Sequence, residues 1–328
     1  MQVDQERLAR LLDRVVGDLS AGYGGVMVRI GDRLGLYAAM AGAGPLTPGE
    51  LAARSGCAER YVEEWLNAQA AGGYVEYHPV SGTYELTAEG RLVLADPESP
   101  VFVPPAWDVP ASMFMDSEDT IAAFRAGDGV AWGDRHPALH EGIAAFYRNA
   151  YRASIAGEWI PALDGVAERL RAGGAVADVG CGYGHSAIAI AEAFPAAQVD
   201  GIDSHAASIE LARDLAREAG VDDRVAFRVD DARAYPGRGY DLICFFDALH
   251  DFGDPVGALA HAAAALAPAG AVMRVEPYAG DRVEDNLNPV GRLYYSASVG
   301  ICLAHGHSEG HGALGAQAGE ARLAEVCR

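Results

Sequence analysis

Residues 176–186 read VADVGCGYGHS: an apolar run breaks into alternating glycines and passes into a helical pattern. Asp178, Gly180, Gly182 and Gly184 form D-x-G-x-G-x-G at this strand-to-helix turn. Glycines let the backbone turn tightly and let a ligand approach the main chain closely. A dinucleotide fingerprint, G-x-G-x-x-G/A, would place its last small residue at position 185. That position holds His185, so the dinucleotide reading fits poorly.

Around the turn, strand-like and helical segments alternate. The strand-like runs are AVADVG (175–180), QVDGID (198–203), VAFRVD (225–230), YDLICFFD (240–247) and AVMRVEP (271–277). HSAIAIAEAF, AASIELARDLAREAG and PVGALAHAAAALAPAG supply helices between them. Repeated βα units imply a parallel sheet covered on both faces, with ligands bound at the carboxyl ends of its strands.

Upstream, residues 4–19 carry apolar side chains at helical spacing (Leu8, Leu11, Leu12, Val15, Val16, Leu19), and Arg29–Met40 repeats the pattern. Thr47 and Pro48 open a short helix that stops at Gly56, and Ala58–Ala71 reads as a further helix. YVEYHPV and GTYELT then form a hairpin around Ser81-Gly82. Helix, short helix, helix and hairpin in this order make a winged helix. Its third helix carries Glu59, Glu63 and Glu64 against Arg60 alone, the wrong charge for a DNA groove.

The predicted organisation is a winged-helix domain over residues 1–96 and an α/β domain over 159–328, with a Pro- and aromatic-rich segment, 97–158, between them. That segment is either a bridge packed on its neighbours or a pocket wall.

Composition narrows the function. The 328 residues hold 25 basic and 46 acidic side chains, a net charge of −21 that repels phosphate backbones. Every basic residue is Arg, so Schiff-base chemistry and a P-loop lysine are excluded. Five scattered cysteines without a CxxC pair suggest reduced thiols in a cytoplasmic protein. Neither a signal peptide nor a membrane span is expected.

The glycine turn resembles the cofactor loop of class I S-adenosylmethionine-dependent methyltransferases. Asp203 ends the second strand, 19 residues beyond Gly184, where the family's acidic residue accepts the ribose hydroxyls. Asp231 and Ala232, in VDDARAYP, stand where the family holds the adenine, and Phe246 closes the fourth strand near the cofactor. With its winged-helix front, the chain is similar to small-molecule O-methyltransferases of plant and bacterial secondary metabolism, and most to an actinobacterial branch. The fold class expected is therefore α/β, a Rossmann-like class I methyltransferase domain preceded by an α-rich winged-helix domain. The resemblance implies S-adenosyl-L-methionine as cofactor and a homodimer formed by the N-terminal domain. It also implies a final two-strand hairpin, yet the chain reaches Arg328 soon after the helix GEARLAEVCR. Either the chain is shortened, or the sheet edge is covered by something else, such as a partner.

Methyl transfer from a sulfonium needs alignment and, for a phenol of pKa about 10, a base near pKa 6.5. His250, in LHDF, matches the histidine that serves as general base in the O-methyltransferases, with Asp251 to orient its ring or cap the next helix. The plainer alternative is that His250 only caps that helix or bonds to backbone. His305, His307 and His311, in AHGHSEGH, suggest a metal, although the intervening glycines suit a flexible loop better, and no metal ligand is assigned. Asn286 and Asn288, in the insertion YAGDRVEDNLNPVGRLYYSASVGICLA, either fix a substrate or cap helices.

The leading function is methyl transfer to a small aromatic or polyketide-like acceptor, without nucleic acid or membrane partners. Three alternatives remain: a cofactor-sensing winged-helix regulator, a metal-assisted C-methyltransferase of an α-keto acid, and a cofactor-binding protein without transferase activity.

Overall fold

The computed structural model describes residues 3–328. They form two compact units, residues 3–111 with Glu141–Asn149, and Ser112–His140 with Ala150–Arg328.

The first unit begins with the helix Gln5–Arg33, whose N-terminus is capped by the Asp4 side chain accepting from the amides of Glu6 and Arg7. The two helices read from periodicity differ here. Gly17, Gly22, Gly24 and Gly25 do not interrupt the first helix, and the break falls instead at Leu34 and Gly35, before Leu36–Met40. Gly35 has a φ of 66°, which side-chain-bearing residues avoid. Thr47 and Glu50 form a reciprocal capping box on Pro48–Ser55. The helix Glu59–Ala71 buries Val62, Trp65, Leu66 and Gln69, one face at helical spacing. Tyr37 donates to Gln69 Oε1 at 2.6 Å and meets Trp65 edge-on, so the one buried amide of this core is satisfied. Strands β1 (Glu76–His78) and β2 (Thr83–Glu85) pair antiparallel as the wing.

The second unit is built on β3 (Ala175–Val179), β4 (Gln198–Asp203), β5 (Val225–Val229), β6 (Tyr240–Phe246) and β7 (Leu266–Val275). The order is β5-β4-β3-β6-β7, all parallel. Successive residues face opposite sides, and both sides are dry. Val176, Leu242, Cys244 and Phe246 join one apolar cluster; Ala177, Val179, Ile243 and Phe245 join the other. That is why these strands read as continuous apolar runs. Among the described strands, β7 pairs only with β6, and its Arg274 donates to the Leu323 carbonyl on the helix Glu320–Val326. No described helix is long and apolar enough to cross a membrane.

The insertion after β7 folds into the helix Pro289–Ala297, a π-turn Ser298–Cys302 and the helix Leu303–Glu309. His305 and His307 therefore lie on a helix, not in a flexible loop. Gly306 is there for packing: a Cβ would come within 2.7 Å of the Asp251 carbonyl oxygen. Asn288 caps Pro289–Ala297 through the Gly291 amide, and Asn286 bonds to the Gly280 and Arg282 backbone, so both serve the loop's own structure.

Candidate active site

Every chemically informative side chain of the second unit described below lies at or beyond the carboxyl ends of β3, β4, β5, β6 and β7. β3 runs into the glycine turn, where Gly180, Gly182 and Gly184 have φ of 77°, 52° and 76°. At Gly184 a Cβ would also lie 2.4 Å from the Phe227 ring, whereas at Gly182 it would meet nothing within 4 Å. The middle of the turn thus borders open space.

Asp178 is buried beneath it. Its Oδ2 accepts from Ser186 Oγ at 2.5 Å, while Oδ1 has no hydrogen-bond partner. Burial, reinforced by the Asp203 charge, pushes its pKa up to about 7. Asp203 accepts from the amides of Gly182 and His205, both at 2.8 Å, and so joins the turn to the end of β4. Burial raises its pKa too, against those two bonds.

Asp231 lies two residues beyond the end of β5. It is exposed, and the Arg233 guanidinium closes over both carboxylate oxygens; the same hydrogen bond and charge hold its pKa below the usual range. Ala232 packs beside the β3–β6 core cluster. Phe246 is buried with its ring 5.5 Å from that of Tyr151 and 5.8 Å from that of Trp159.

His250 occupies the 3-10 turn Leu249–Asp251 after β6 and is 3% exposed. Nδ1 bonds to the Glu276 carboxylate, and Nε2 lies 2.9 Å from Asp251 Oδ1. Burial alone would lower its pKa, but Asp251, with hydrogen bonds to Cys302 and Glu276, carries it well above the usual histidine value. His250 thus lies between two carboxylates that favour its protonated form. Its carbonyl accepts from the amides of Leu314 and Gly315, both at 3.0 Å, which fixes the turn that carries the ring. Cys302 is buried beside it, its pKa pushed up to about 12, by burial first and the Asp251 charge second.

Sequence reasoning missed two members of this group. Glu276 follows β7 directly; the acid in AVMRVEP was its only signal. Asp247 is the one non-glycine residue with positive φ, 52°, among the described residues, and it sits between Phe246 and the His250 turn. Strain of this sort gathers at functional sites.

Two sets of side chains have ligand atoms within 4.8 Å of one another: His250, Asp251 and Cys302, and Asp247, His250 and Glu276. Neither includes His305, His307 or His311. His307 and His311 rings are 5.2 Å apart, while His305 is buried against Trp132, at 5.5 Å between rings.

Comparison with known proteins agrees with this architecture. The methyltransferase-domain family matches residues 170–305, and the Rv2258c-like winged HTH domain matches residues 22–95. A stretch of 103 residues is 39% identical to 27-O-demethylrifamycin SV methyltransferase of Amycolatopsis mediterranei (strain S699), covering 31% of this chain and 38% of that enzyme. The match therefore spans well under half the length of that relative. Mitomycin 7-O-methyltransferase MmcR has a TM-score of 0.71 at 19% identity, over 98% of this chain and 92% of its own. Human N-acetylserotonin methyltransferase, solved with S-adenosylmethionine, has a TM-score of 0.69 at 15% identity, over 100% of this chain and 92% of its own. At such identities the likeness to solved structures is one of fold. With both family matches in the same order along the sequence, the chain carries an Rv2258c-like winged HTH domain followed by a methyltransferase domain.

Proposed function

We propose that the chain transfers the methyl group of S-adenosylmethionine to an oxygen of a small aromatic or polyketide-like acceptor. The observation that carries this reading is the junction of Gly182 and Asp203, which sets a carboxylate at the rim of a glycine turn open to solvent-sized space. Asp178, buried beneath the turn, adds negative charge there once it ionises. When bound, S-adenosylmethionine supplies an activated methyl group for in-line displacement.

The chain's own residues do the rest. Asp203 accepts the ribose hydroxyls, the turn glycines let the cofactor lie on the backbone, and Phe246 walls the site. In its neutral form, with the remaining proton on Nδ1 held by Glu276, His250 takes the acceptor's proton on Nε2, displacing Asp251, as the new oxygen–methyl bond forms. Glu276 holds the ring through Nδ1 and steadies the resulting charge. S-adenosylhomocysteine and the methylated acceptor are the products.

A second reading, metal-assisted transfer, is favoured by the grouping of His250, Asp251 and Cys302. The donor set suits a borderline divalent ion such as zinc, and the buried Glu276 Oε1, with no hydrogen-bond partner, has a lone pair to offer.

The assembly we infer is a homodimer in the reducing cytoplasm. Leu8, Leu12, Val15, Leu19 and Val26 lie exposed along the helix Gln5–Arg33 at the alternating spacing of a helix-pairing seam. DNA is not a partner in this reading: Arg60, the one cation on the helix Glu59–Ala71, is tied to Glu63 and Glu64.

Calorimetry with S-adenosylmethionine and S-adenosylhomocysteine, with and without a chelator, tests the assignment. Micromolar binding is expected of both. A folded sample that binds neither would refute it, and a chelator effect would favour the metal reading.

A further inference from the structure

Arg135 stands between the 3-10 turn Trp132–Asp134 and the helix Pro137–Ser154, and it is only 4% exposed. Its neighbours in sequence are fixed on two sides. The His136 amide donates to Asp116 Oδ2 at 3.0 Å, and the Val130 amide donates to the Ala304 carbonyl at 2.8 Å. The guanidinium itself is poorly served. Nη1 makes one long bond, 3.5 Å, to Thr120 Oγ1, while Nε and Nη2 are buried with no hydrogen-bond partner. Asp116 and Asp119 are near enough to act on its charge, yet neither forms an ion pair with it among the described residues.

A buried guanidinium held only for structure normally spends its donors on carboxylates and carbonyls, because a charge taken out of water without partners loses its hydration uncompensated. Here the two unspent atoms are Nε and Nη2, the side-on edge of the fork. That edge presents two parallel N–H groups at the spacing of the two oxygens of one carboxylate. The location is also specific. Cys302 is among the groups whose charge Arg135 feels, and the Cys302 thiol lies within 4.8 Å of a His250 ring nitrogen. The Val130–Ala304 bond ties the segment that carries Arg135 to the helix Leu303–Glu309, which begins directly after Cys302.

We propose that Arg135 binds a carboxylate on the methyl acceptor, gripping it through Nε and Nη2 while the nucleophilic atom stands at His250. The inference rests on the methyltransferase reading above and narrows its substrate to acidic molecules. Because the edge is closed to solvent, the acceptor enters by parting the segment around Trp132–Arg135 from its neighbours, and the ion pair then forms out of water. A neutral analogue leaves the guanidinium unpaired and is rejected.

The test uses protein saturated with S-adenosylhomocysteine, titrated with acetate, benzoate, 4-hydroxybenzoate and 2-naphthoate, each against its primary amide. Wild type is expected to prefer the acids by roughly tenfold or more. Arg135→Gln should abolish the preference, and Arg135→Lys, which keeps the charge but not the fork, should retain part of it. S-adenosylhomocysteine affinity should be equal in all three proteins. No preference in wild type, or a preference that survives Arg135→Gln, overturns the proposal. A loss of S-adenosylhomocysteine affinity in Arg135→Gln also overturns it, by assigning the residue to the cofactor's own carboxylate. If Arg135→Gln does not fold, Arg135→Lys decides, since an undiminished acid preference there removes the role of the fork. Failure of wild type to bind S-adenosylhomocysteine is a different result, one that refutes the methyltransferase reading itself.

Discussion

Glu276 and His250 lie 26 residues apart in the chain, yet the carboxylate of one bonds to Nδ1 of the other because β6 and β7 end side by side. A ring so held presents Nε2 in one orientation. His250→Ala should lower turnover by about two to four orders of magnitude while leaving S-adenosylhomocysteine affinity intact. Glu276→Gln should lower kcat by about tenfold to a hundredfold with little change in KM. Steady-state kinetics on an identified acceptor, with calorimetry beside them, check both. A normal kcat in His250→Ala would leave the residue a helix-end histidine.

Asp203 joins the glycine turn to β4 through the Gly182 amide. Asp203→Ala removes the ribose acceptor and frees that amide together. Cofactor affinity should weaken by about tenfold to a hundredfold, whatever the acceptor atom. Unchanged affinity in a folded variant would remove the ribose from this end of the sheet.

The raised pKa of Asp178, about 7, makes stability depend on pH. Between about pH 4 and pH 7 the folded chain keeps a proton that the unfolded chain has lost. Stability therefore falls as pH rises, by about 4 kcal/mol across that window, and is fully present below about pH 4. Asp178→Asn keeps an acceptor for Ser186 and removes the ionisation. Urea melts of both proteins at about pH 5 and about pH 7.5 should show a steeper loss in the wild type. Parallel losses would mean that Asp178 titrates normally.

The exposed seam on the helix Gln5–Arg33 predicts self-association. Leu12→Glu with Leu19→Glu should leave the methyltransferase unit folded and shift light-scattering mass from dimer to monomer. A wild-type protein that is monomeric at micromolar concentration would remove the homodimer.

What the sequence disclosed was local. The glycine turn, Asp203 and the βα alternation are written in short stretches whose backbone needs dictate residue type, and all were legible. Glu276 was not, because its contact with His250 arises from the pairing of Phe246 with Val275 in neighbouring strands. The closure of Asp231 by Arg233 lay in plain view, two residues apart, but which way an arginine swings depends on what else surrounds it. The break at Leu34 and Gly35 was hidden for the opposite reason: the apolar spacing of Arg29–Met40 runs straight across it, while packing such as Trp107 against Gly25 carries the helix through its earlier glycines.

Leu314 and Gly315 reach back to the His250 carbonyl from a segment with no regular structure of its own. Those two amide protons are consequently a built-in gauge of the site. Their exchange with deuterated solvent should slow when a ligand steadies the turn and quicken when the turn loosens. The state of a buried ring can then be followed from two backbone positions, without a substrate in hand.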